Sequence, residues 1–175
     1  MSEIGAVAFT GMPAAGKSRI GELVAAFCGR KFFDTDRCIE KRFNGEQLAS
    51  IVDRLPPEEF AAIEEAVAIE VINGLRGPAI IATGGSMIYH EKAMRILRRK
   101  THIVYLRATV ETILERVPDP LARGVVLGPG ETLVDVYKRR APFYKKYAHR
   151  IVDTDTDRPM VAAKLARLLH EEGLI

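Results

Sequence analysis

The segment GMPAAGKS, which begins at Gly11, matches the phosphate-binding loop pattern G-x-x-x-x-G-K-[ST]. It follows the apolar run AVAF and precedes a predicted helix, as this pattern requires. Backbone N–H groups of such a loop converge on a phosphate, while Lys17 can bind the outer phosphates and Ser18 can coordinate Mg²⁺. An ordinary glycine-rich turn between a strand and a helix is the alternative. The loop residues that we expect to contact a nucleotide are Gly11, Met12, Pro13, Ala14, Ala15, Gly16, Lys17 and Ser18.

Two acidic side chains follow the next apolar segment. Asp34 and Asp36 belong to the sequence FFDTD. A carboxylate beside nucleotide phosphates can hold Mg²⁺, directly or through water, or it can accept the proton of a hydroxyl that is being phosphorylated. The alternative for Asp36 is that it only caps the helix that follows it.

A pair of glycines and an arginine complete the candidate chemistry. Gly84 and Gly85 follow the buried-strand sequence PAIIAT, where the missing side chains would let the backbone approach a ligand closely. The alternative is a turn that requires a positive φ. Arg140 lies in the sequence RRAPFY, and its guanidinium has the geometry to bind a carboxylate through two hydrogen bonds. The alternative is a solvated arginine on a helix surface.

Alternating apolar strands and helices must position these residues. The strands are predicted at 4–10, 31–33, 78–83, 101–106 and 150–153. The helices are predicted at 18–28, 36–43, 47–53, 58–75, 91–99, 109–117, 131–140 and 159–171. This order predicts an α/β fold with a five-stranded parallel sheet and helices on both faces. Because ligands bind at the carboxyl ends of such strands, the loop, the aspartates and the glycines should face one crevice.

The composition limits the class of protein. The chain has 175 residues, of which 47% are hydrophobic and 28% are charged, and its formal net charge is +3. These values predict one globular domain over residues 1–175, and the charge is too small to indicate nucleic-acid binding. Cys28 and Cys38 lack metal-ligand spacing and are expected to be free thiols in a reducing compartment. Without a recognisable signal peptide or membrane-spanning stretch, the sequence predicts a cytoplasmic protein that does not bind a membrane.

Five segments occur in the order and at about the spacing of one known family. They read GMPAAGKS, FFDTDRCIE, ATGGS, VYKRRAPFYKKYA and IVDT. Together they resemble the shikimate kinase family of small P-loop kinases over nearly the whole chain. The resemblance implies a P-loop NTPase fold of the nucleoside-monophosphate-kinase type, ATP and Mg²⁺ as cofactors, a small hydroxy-acid substrate, a monomer, and a role in amino-acid biosynthesis.

The resemblance also implies roles for single residues. Lys17 is similar to the lysine that binds the phosphates, and Ser18 and Asp34 are similar to the residues associated with Mg²⁺. Asp36 resembles the aspartate that contacts the acceptor hydroxyl. Arg140 resembles the arginine that binds the substrate carboxylate.

Further resemblances lie around the nucleotide and the acceptor. Arg116 is similar to the arginine that lies on adenine. The Pro- and Gly-rich stretch 118–130 resembles the lid that closes over ATP. Gly84 and Gly85 match the first two glycines of the family's substrate-side triplet.

The sequence departs from the family pattern at three positions. Ala61 stands where the family motif F-R-x-x-E has an arginine that helps to bind the carboxylate, and Ser86 replaces the third glycine. Loss of one of two charged contacts would cost about 1.5–3 kcal/mol of binding. Asp119 stands in place of the lid arginine, so Arg123, at a shifted position, is the candidate to stabilise charge on the transferred phosphoryl group.

The resemblance makes ATP-dependent phosphorylation of shikimate to shikimate 3-phosphate the expected reaction. One alternative is a kinase for another small hydroxy acid or a hydroxy amino acid such as homoserine, whose ammonium group could face Glu64. The other is a non-catalytic ATP-binding relative. Ala61 and the altered lid favour this last alternative, whereas the retention of Asp36 and Arg140 opposes it.

Overall fold

The structure, a computed structural model, describes residues 5–175 and contains a five-stranded parallel sheet. The strands are β1 (Ala6–Thr10), β2 (Lys31–Asp34), β3 (Ala79–Ala82), β4 (Thr101–Arg107) and β5 (Arg150–Asp153). Their order across the sheet is β2-β3-β1-β4-β5, and each neighbouring pair is parallel. The predicted sheet is confirmed, although the predicted start of the first strand at Ile4 lies outside the described residues.

Helices connect the strands and follow the predicted pattern. They are α1 (Lys17–Phe27), α2 (Thr35–Arg42), α3 (Leu48–Arg54), α4 (Pro57–Gly74), α5 (Glu91–Lys100), α6 (Val110–Arg116), α7 (Leu133–Tyr147) and α8 (Arg158–Glu171). A short 3₁₀ helix (Met87–Tyr89) precedes α5. Over residues 5–175, no helix combines the length and the apolar character that a membrane crossing requires.

Side chains of β1 alternate between the two faces of the sheet, and each face is covered by its own helices. Val7 and Phe9 are buried in a cluster with apolar residues of α1 and α8. Ala6 and Ala8 lie in the opposite cluster, to which α4 and α5 contribute. The sheet is therefore covered on both sides, as an all-parallel sheet requires.

The position of β1 in the sheet determines where a ligand can bind. β1 lies between β3 and β4, so β2 and β3 lie on one side of it and β4 and β5, which follow later in the chain, lie on the other side. The loops at the carboxyl ends of β1 and its neighbours therefore diverge and leave a crevice between them. The phosphate-binding loop follows β1 directly and forms the floor of this crevice.

The helix α7 is longer than predicted. We expected it to end near Arg140, but it passes through Pro142 and ends at Tyr147. Tyr144 is fully buried and stacks on Tyr105 with a ring-centroid distance of 5.1 Å. This packing stabilises the last helical turns and offsets the hydrogen bond that proline cannot donate.

Candidate active site

The loops at the carboxyl edge of the sheet surround one cleft of about 780 Å³. Most of the predicted site residues line it, namely Pro13, Ala14, Gly16, Lys17, Ser18, Asp34, Asp36, Gly85, Arg116, Arg123 and Arg140. The other predicted residues are buried behind this wall, namely Gly11, Met12, Ala15 and Gly84. The fold therefore brings together residues that are more than a hundred positions apart in the sequence.

The phosphate-binding loop has the backbone conformation that its glycines allow. Gly16, which precedes α1, has a φ of 103°, and Gly11 has a φ of 148°. A Cβ atom at Gly11 would lie 2.4 Å from the carbonyl oxygen of Leu106, so a larger residue does not fit. Because the loop leads into the N-terminus of α1, its N–H groups and the helix dipole favour a bound anion.

Lys17 is held inside the loop. Its side-chain Nζ donates hydrogen bonds to the carbonyl oxygens of Gly11 at 2.9 Å and Met12 at 2.8 Å. Burial lowers the pKa of Lys17 to about 8, although the carboxylates of Asp36 and Asp34 oppose this shift. Phosphate oxygens entering the loop would favour the charged form of Lys17 and so strengthen their own binding.

Asp34 caps α2, a role that we had considered for Asp36. The Oδ1 atom of Asp34 accepts hydrogen bonds from the backbone N–H groups of Asp36 at 3.0 Å and Arg37 at 3.3 Å. The helix consequently begins at Thr35, one residue before its predicted start. The interpretation of Asp36 as the cap is therefore wrong, and its carboxylate lines the cleft.

The carboxyl group of Asp36 lies among other charged groups. Burial, together with the nearby carboxylates of Asp34 and Glu64, raises its pKa to about 7, whereas Lys17 acts in the opposite direction. A carboxylate with a pKa near the working pH is well suited to accept a proton from a hydroxyl. Asp36 therefore has the protonation behaviour of a general base.

Gly84 and Gly85 are required for close packing rather than for backbone conformation. Neither has a positive φ, so the turn that we considered as an alternative is wrong. A Cβ atom at Gly84 would lie 2.4 Å from Oε1 of Glu64 and 2.8 Å from Oδ1 of Asp36. At Gly85 it would lie 3.1 Å from a terminal nitrogen of Arg140. The two glycines thus leave room for the acidic and basic groups beside them.

Sequence reasoning missed a buried polar cluster beside Gly84. The hydroxyl of Ser86 lies 2.7 and 2.8 Å from the two carboxylate oxygens of Glu64, which share its one hydrogen. The Nε2 atom of His90 lies 2.7 Å from Oε2 of the same carboxylate. Ser86 and Glu64 line the cleft, so the replacement of the third family glycine adds a polar contact to its wall. No sequence motif joins these residues, and only the fold brings them together.

Arg140 is buried at the other side of the cleft, with only 3% of the residue exposed. Its Nε atom has no hydrogen-bond partner among the described residues. The alternative of a solvated arginine on a helix surface is therefore wrong. A buried guanidinium without a complete set of acceptors is suited to bind an anionic group from outside the protein.

Two arginines lie at the end of the cleft where the loops after β4 and β5 meet. Arg116 donates hydrogen bonds to the carbonyl oxygens of Ala14 at 3.3 Å and Thr154 at 3.1 Å. Arg158, at the start of α8, also lines the cleft, and its Nε atom lacks a partner among the described residues. Arg158 was not among our site candidates, although the segment VDTD followed by Arg158 and Pro159 is similar to the adenine-side loop of the family.

The stretch 118–130 covers part of the cleft without forming a helix. Its turn is closed by hydrogen bonds to the carbonyl oxygen of Pro120 from the backbone N–H groups of Arg123 at 3.2 Å and Val125 at 2.9 Å. Val125 is buried in the apolar cluster below the cleft, and Arg123 lines the cleft itself. Asp119 accepts a hydrogen bond from Ala122 and shapes the turn.

The candidate metal ligands fit a magnesium site that is completed by phosphates. Ser18 and Asp34 both line the cleft next to Lys17 and offer the oxygen ligands that Mg²⁺ prefers. Within residues 5–175, no three His, Cys, Asp or Glu side chains form a metal-binding group. Such a sparse set is typical of Mg²⁺ sites in which substrate phosphates and water supply the other ligands.

Comparison with known proteins gives one consistent result. Residues 13–170 match the family model for shikimate kinase. The chain is 32% identical to a shikimate kinase of Chromohalobacter salexigens, over 91% of this chain and 88% of the relative. It is 29% identical to a shikimate kinase of Paracidovorax citrulli, over 87% and 84% of the two chains.

A solved structure extends this similarity to three dimensions. Shikimate kinase from Acinetobacter baumannii in complex with shikimate superimposes with a TM-score of 0.81, over 99% of this chain and 97% of that chain, at 26% identity. The phosphate loop, the acidic pair and the buried arginine lie in one cleft of such a fold, and the family match spans nearly all of the sequence. This chain therefore belongs to the shikimate kinase family of small-molecule kinases, which transfer a phosphoryl group from ATP to a hydroxyl group.

Proposed function

We propose that this protein phosphorylates shikimate to shikimate 3-phosphate, using ATP. The observation that supports this most strongly is the buried guanidinium of Arg140 in the same cleft as Lys17. A nucleotide site alone does not need a buried arginine at its far wall. A small carboxylate-bearing acceptor does, because it supplies the anion that the guanidinium lacks.

The nucleotide binds at the phosphate loop in this proposal. The N–H groups of the loop and Lys17 bind the phosphates, and Arg116 lies against the adenine ring. Ser18 and Asp34 would hold Mg²⁺, because both offer oxygen ligands in the cleft next to Lys17. When bound, Mg²⁺ neutralises charge between the phosphate oxygens.

The acceptor lies between Arg140 and Asp36 in this proposal. Arg140 binds the carboxylate, and the backbone at Gly84 and Gly85 lies against the ring of the acceptor. Asp36 orients the reacting hydroxyl and accepts its proton. Arg123 stabilises the charge that develops on the transferred phosphoryl group. Holding both substrates in one cleft supplies the orientation on which phosphoryl transfer mainly depends.

An amino-acid acceptor such as homoserine is the second candidate. Ala61 favours it, because the missing arginine would have repelled an ammonium group. Glu64 opposes it, because its oxygens already contact Ser86 and His90 and are not free to bind an ammonium. We therefore place shikimate before homoserine.

The test is a coupled assay of ADP release with a panel of acceptors that includes shikimate, homoserine and related hydroxy acids. We expect shikimate to give the highest kcat/KM, and the variant Lys17→Ala to lose transfer at unchanged melting temperature. A higher kcat/KM for homoserine would contradict the choice of acceptor. If ATP binds but no acid stimulates ADP release, the protein is a non-catalytic relative.

We further propose that the whole chain is one kinase domain that acts as a monomer in the cytoplasm. A single chain supplies residues for both the nucleotide and the acceptor, so the cleft needs no second copy. The cytoplasm is where ATP is available to such an enzyme. Light scattering coupled to size-exclusion chromatography should give a mass near the 19.4 kDa of one chain.

A further inference from the structure

The buried guanidinium of Arg140 needs support from the protein before any acceptor arrives. Its Nε atom has no partner among the described residues, and Gly85 allows one of its terminal nitrogens to lie close to the backbone. The hydroxyl of Tyr144, one turn later on α7, donates to the carbonyl oxygen of Gly85 at 2.6 Å. This bond fixes the backbone beside Arg140, but it does not balance the positive charge.

An aromatic ring lies beside that charge. The guanidinium carbon of Arg140 is 5.6 Å from the ring centroid of Tyr89. At this distance the negative face of an aromatic ring attracts a cation, and the attraction is larger where the cation is removed from water. Only 3% of Arg140 is exposed, so its attraction to the ring of Tyr89 is of the stronger type, in which the cation is removed from water.

The ring of Tyr89 is itself held in place. Tyr89 is the last residue of the 3₁₀ helix that follows Gly85. The other two residues of that helix, Met87 and Ile88, are buried. Phe143 packs edge-on against it with a centroid distance of 5.6 Å. The backbone and one neighbour thus fix an aromatic side chain of which 41% is exposed to solvent.

A second arginine holds the hydroxyl of the same tyrosine. Arg139 donates from Nε to the Tyr89 hydroxyl at 3.0 Å. Arg139 in turn forms an ion pair with Glu131, whose carboxylate also accepts a hydrogen bond from the backbone N–H of Gly128 at 2.9 Å. The guanidinium carbon of Arg139 also lies 5.9 Å from the ring centroid of Tyr89, but Arg140 contacts only the ring. Tyr89→Phe therefore removes the contact of the hydroxyl with Arg139 and keeps the contact of the ring with Arg140.

We propose that Tyr89 is a positioning residue that holds the Arg140 guanidinium in place for the carboxylate of the acceptor. The assignment rests on the proposed function, because it takes Arg140 to be the group that binds that carboxylate. Ala61 leaves the site without the second arginine of the family pattern, so carboxylate binding depends more strongly on Arg140. The orientation of this one side chain then determines the affinity for the acceptor.

The kinetic test compares Tyr89→Leu with Tyr89→Phe. The leucine removes the ring face, and we expect it to raise the KM for shikimate about 3- to 30-fold, with kcat and the KM for ATP changed less than about twofold. The phenylalanine keeps the ring face and should stay within about twofold of wild type. Phe27→Leu, which removes an exposed aromatic ring at the end of α1 and outside the cleft, is the control and should also stay within about twofold.

Three kinetic results would overturn the assignment. These are an unchanged KM for shikimate in Tyr89→Leu, a rise in Tyr89→Phe as large as that in Tyr89→Leu, and an equal rise in Phe27→Leu. Melting temperatures of all variants should agree closely, because Tyr89 and Phe27 are both partly exposed. Loss of folding in Tyr89→Leu would assign the residue to stability and would also overturn it.

A second readout needs no acceptor and separates this assignment from the proposed function. Nitrogen-15 NMR of arginine side chains can follow the Nε–H signal of Arg140, identified by its absence in Arg140→Lys. We expect a ring-shifted, slowly exchanging signal in wild type and Tyr89→Phe that moves to an ordinary position in Tyr89→Leu. An identical signal in all three proteins would overturn the assignment, whereas the expected shift together with no transfer to shikimate would contradict only the proposed function.

Discussion

Arg140 and Lys17 are both buried cations, but their contacts within the protein differ. Lys17 donates to two backbone carbonyls of its own loop, whereas Arg140 has an unpartnered Nε atom and an aromatic neighbour. The lysine can exchange carbonyl oxygens for phosphate oxygens at little cost. The arginine gains contacts that it lacks, so its contribution to binding should be large.

Replacement of Arg140 by alanine tests this contribution. We expect the KM for shikimate to rise about ten- to a hundredfold, since a hydrogen bond to a charged group contributes about 1.5–3 kcal/mol. The KM for ATP should change less than about twofold. Lys138→Ala, an exposed neighbour on α7, is the control in the same steady-state assay and should leave both constants unchanged. Equal effects of the two substitutions on the KM for shikimate would remove Arg140 from the acceptor site.

The pH dependence of catalysis should reflect Asp36 and Lys17 together. Burial raises the pKa of Asp36 to about 7 and lowers that of Lys17 to about 8, so the active form carries an ionised Asp36 and a charged Lys17. With both substrates well below saturation, kcat/KM should rise as pH increases towards 7 and fall above 8. A profile that stays flat from about pH 6 to 9 would show that neither group limits the reaction.

The connection from β3 to α5 positions several groups of the candidate site. Its two glycines bring the backbone against three charged side chains, and its 3₁₀ helix then carries Tyr89 to the back of Arg140. The sequence showed the glycines and predicted a close approach to a ligand. The structure shows in addition a close approach to the protein's own Glu64 and Asp36, which sequence spacing does not reveal.

A methyl group at Gly84 tests that packing. Gly84→Ala would place Cβ 2.4 Å from Glu64 and 2.8 Å from Asp36, so both carboxylates must move. We expect kcat to fall at least about tenfold and the melting temperature to drop. Gly77→Ala is the matched control, since a Cβ atom at Gly77 meets nothing within 4 Å and its φ is not positive. Wild-type kcat in Gly84→Ala would show that the site tolerates displacement of these carboxylates.

At the scale of the whole molecule, the sequence predicted the sheet, its helices and the position of the cleft. It could do so because apolar periodicity and the phosphate loop are local signals. The missed features all depend on contacts between distant segments. No sequence signal predicted that Glu64, Ser86 and His90 contact one another, that the ring of Tyr89 lies beside Arg140, or that Arg158 lines the cleft. The helix α7 is longer than predicted, because the burial of Tyr144 offsets the helix-breaking effect of Pro142.

The buried carboxyl group of Asp36 also affects the stability of the whole fold. The pKa of Asp36 is about 7 in the folded protein and near its ordinary value of 3.8 in the unfolded chain. The folded state therefore binds more protons between these values, and the free energy of unfolding falls as pH rises from about 4 to about 7. The lowered pKa of Lys17 affects a separate range, above about pH 8.

In the variant Asp36→Asn, the free energy of unfolding should not show this fall with rising pH. Its free energy of unfolding should match that of wild type near pH 4 and exceed it by more than about 1 kcal/mol above pH 7, since one unit of pKa shift corresponds to about 1.4 kcal/mol. Urea unfolding at both pH values measures the difference, and Asp53→Asn, which lies outside the cleft on α3, is the control. A difference between variant and wild type that is independent of pH would contradict the burial of an ionised Asp36.

The proposal that a nucleotide at Lys17 and an organic acid at Arg140 react in one cleft can be tested directly by phosphorus NMR. The purified protein is mixed with ATP, Mg²⁺ and shikimate, and the spectrum is followed with time. We expect a phosphomonoester signal to appear in step with ADP, to be absent without shikimate, and to be strongly slowed in Arg140→Ala. ADP and inorganic phosphate without a phosphomonoester, or equal rates in Arg140→Ala, would contradict it.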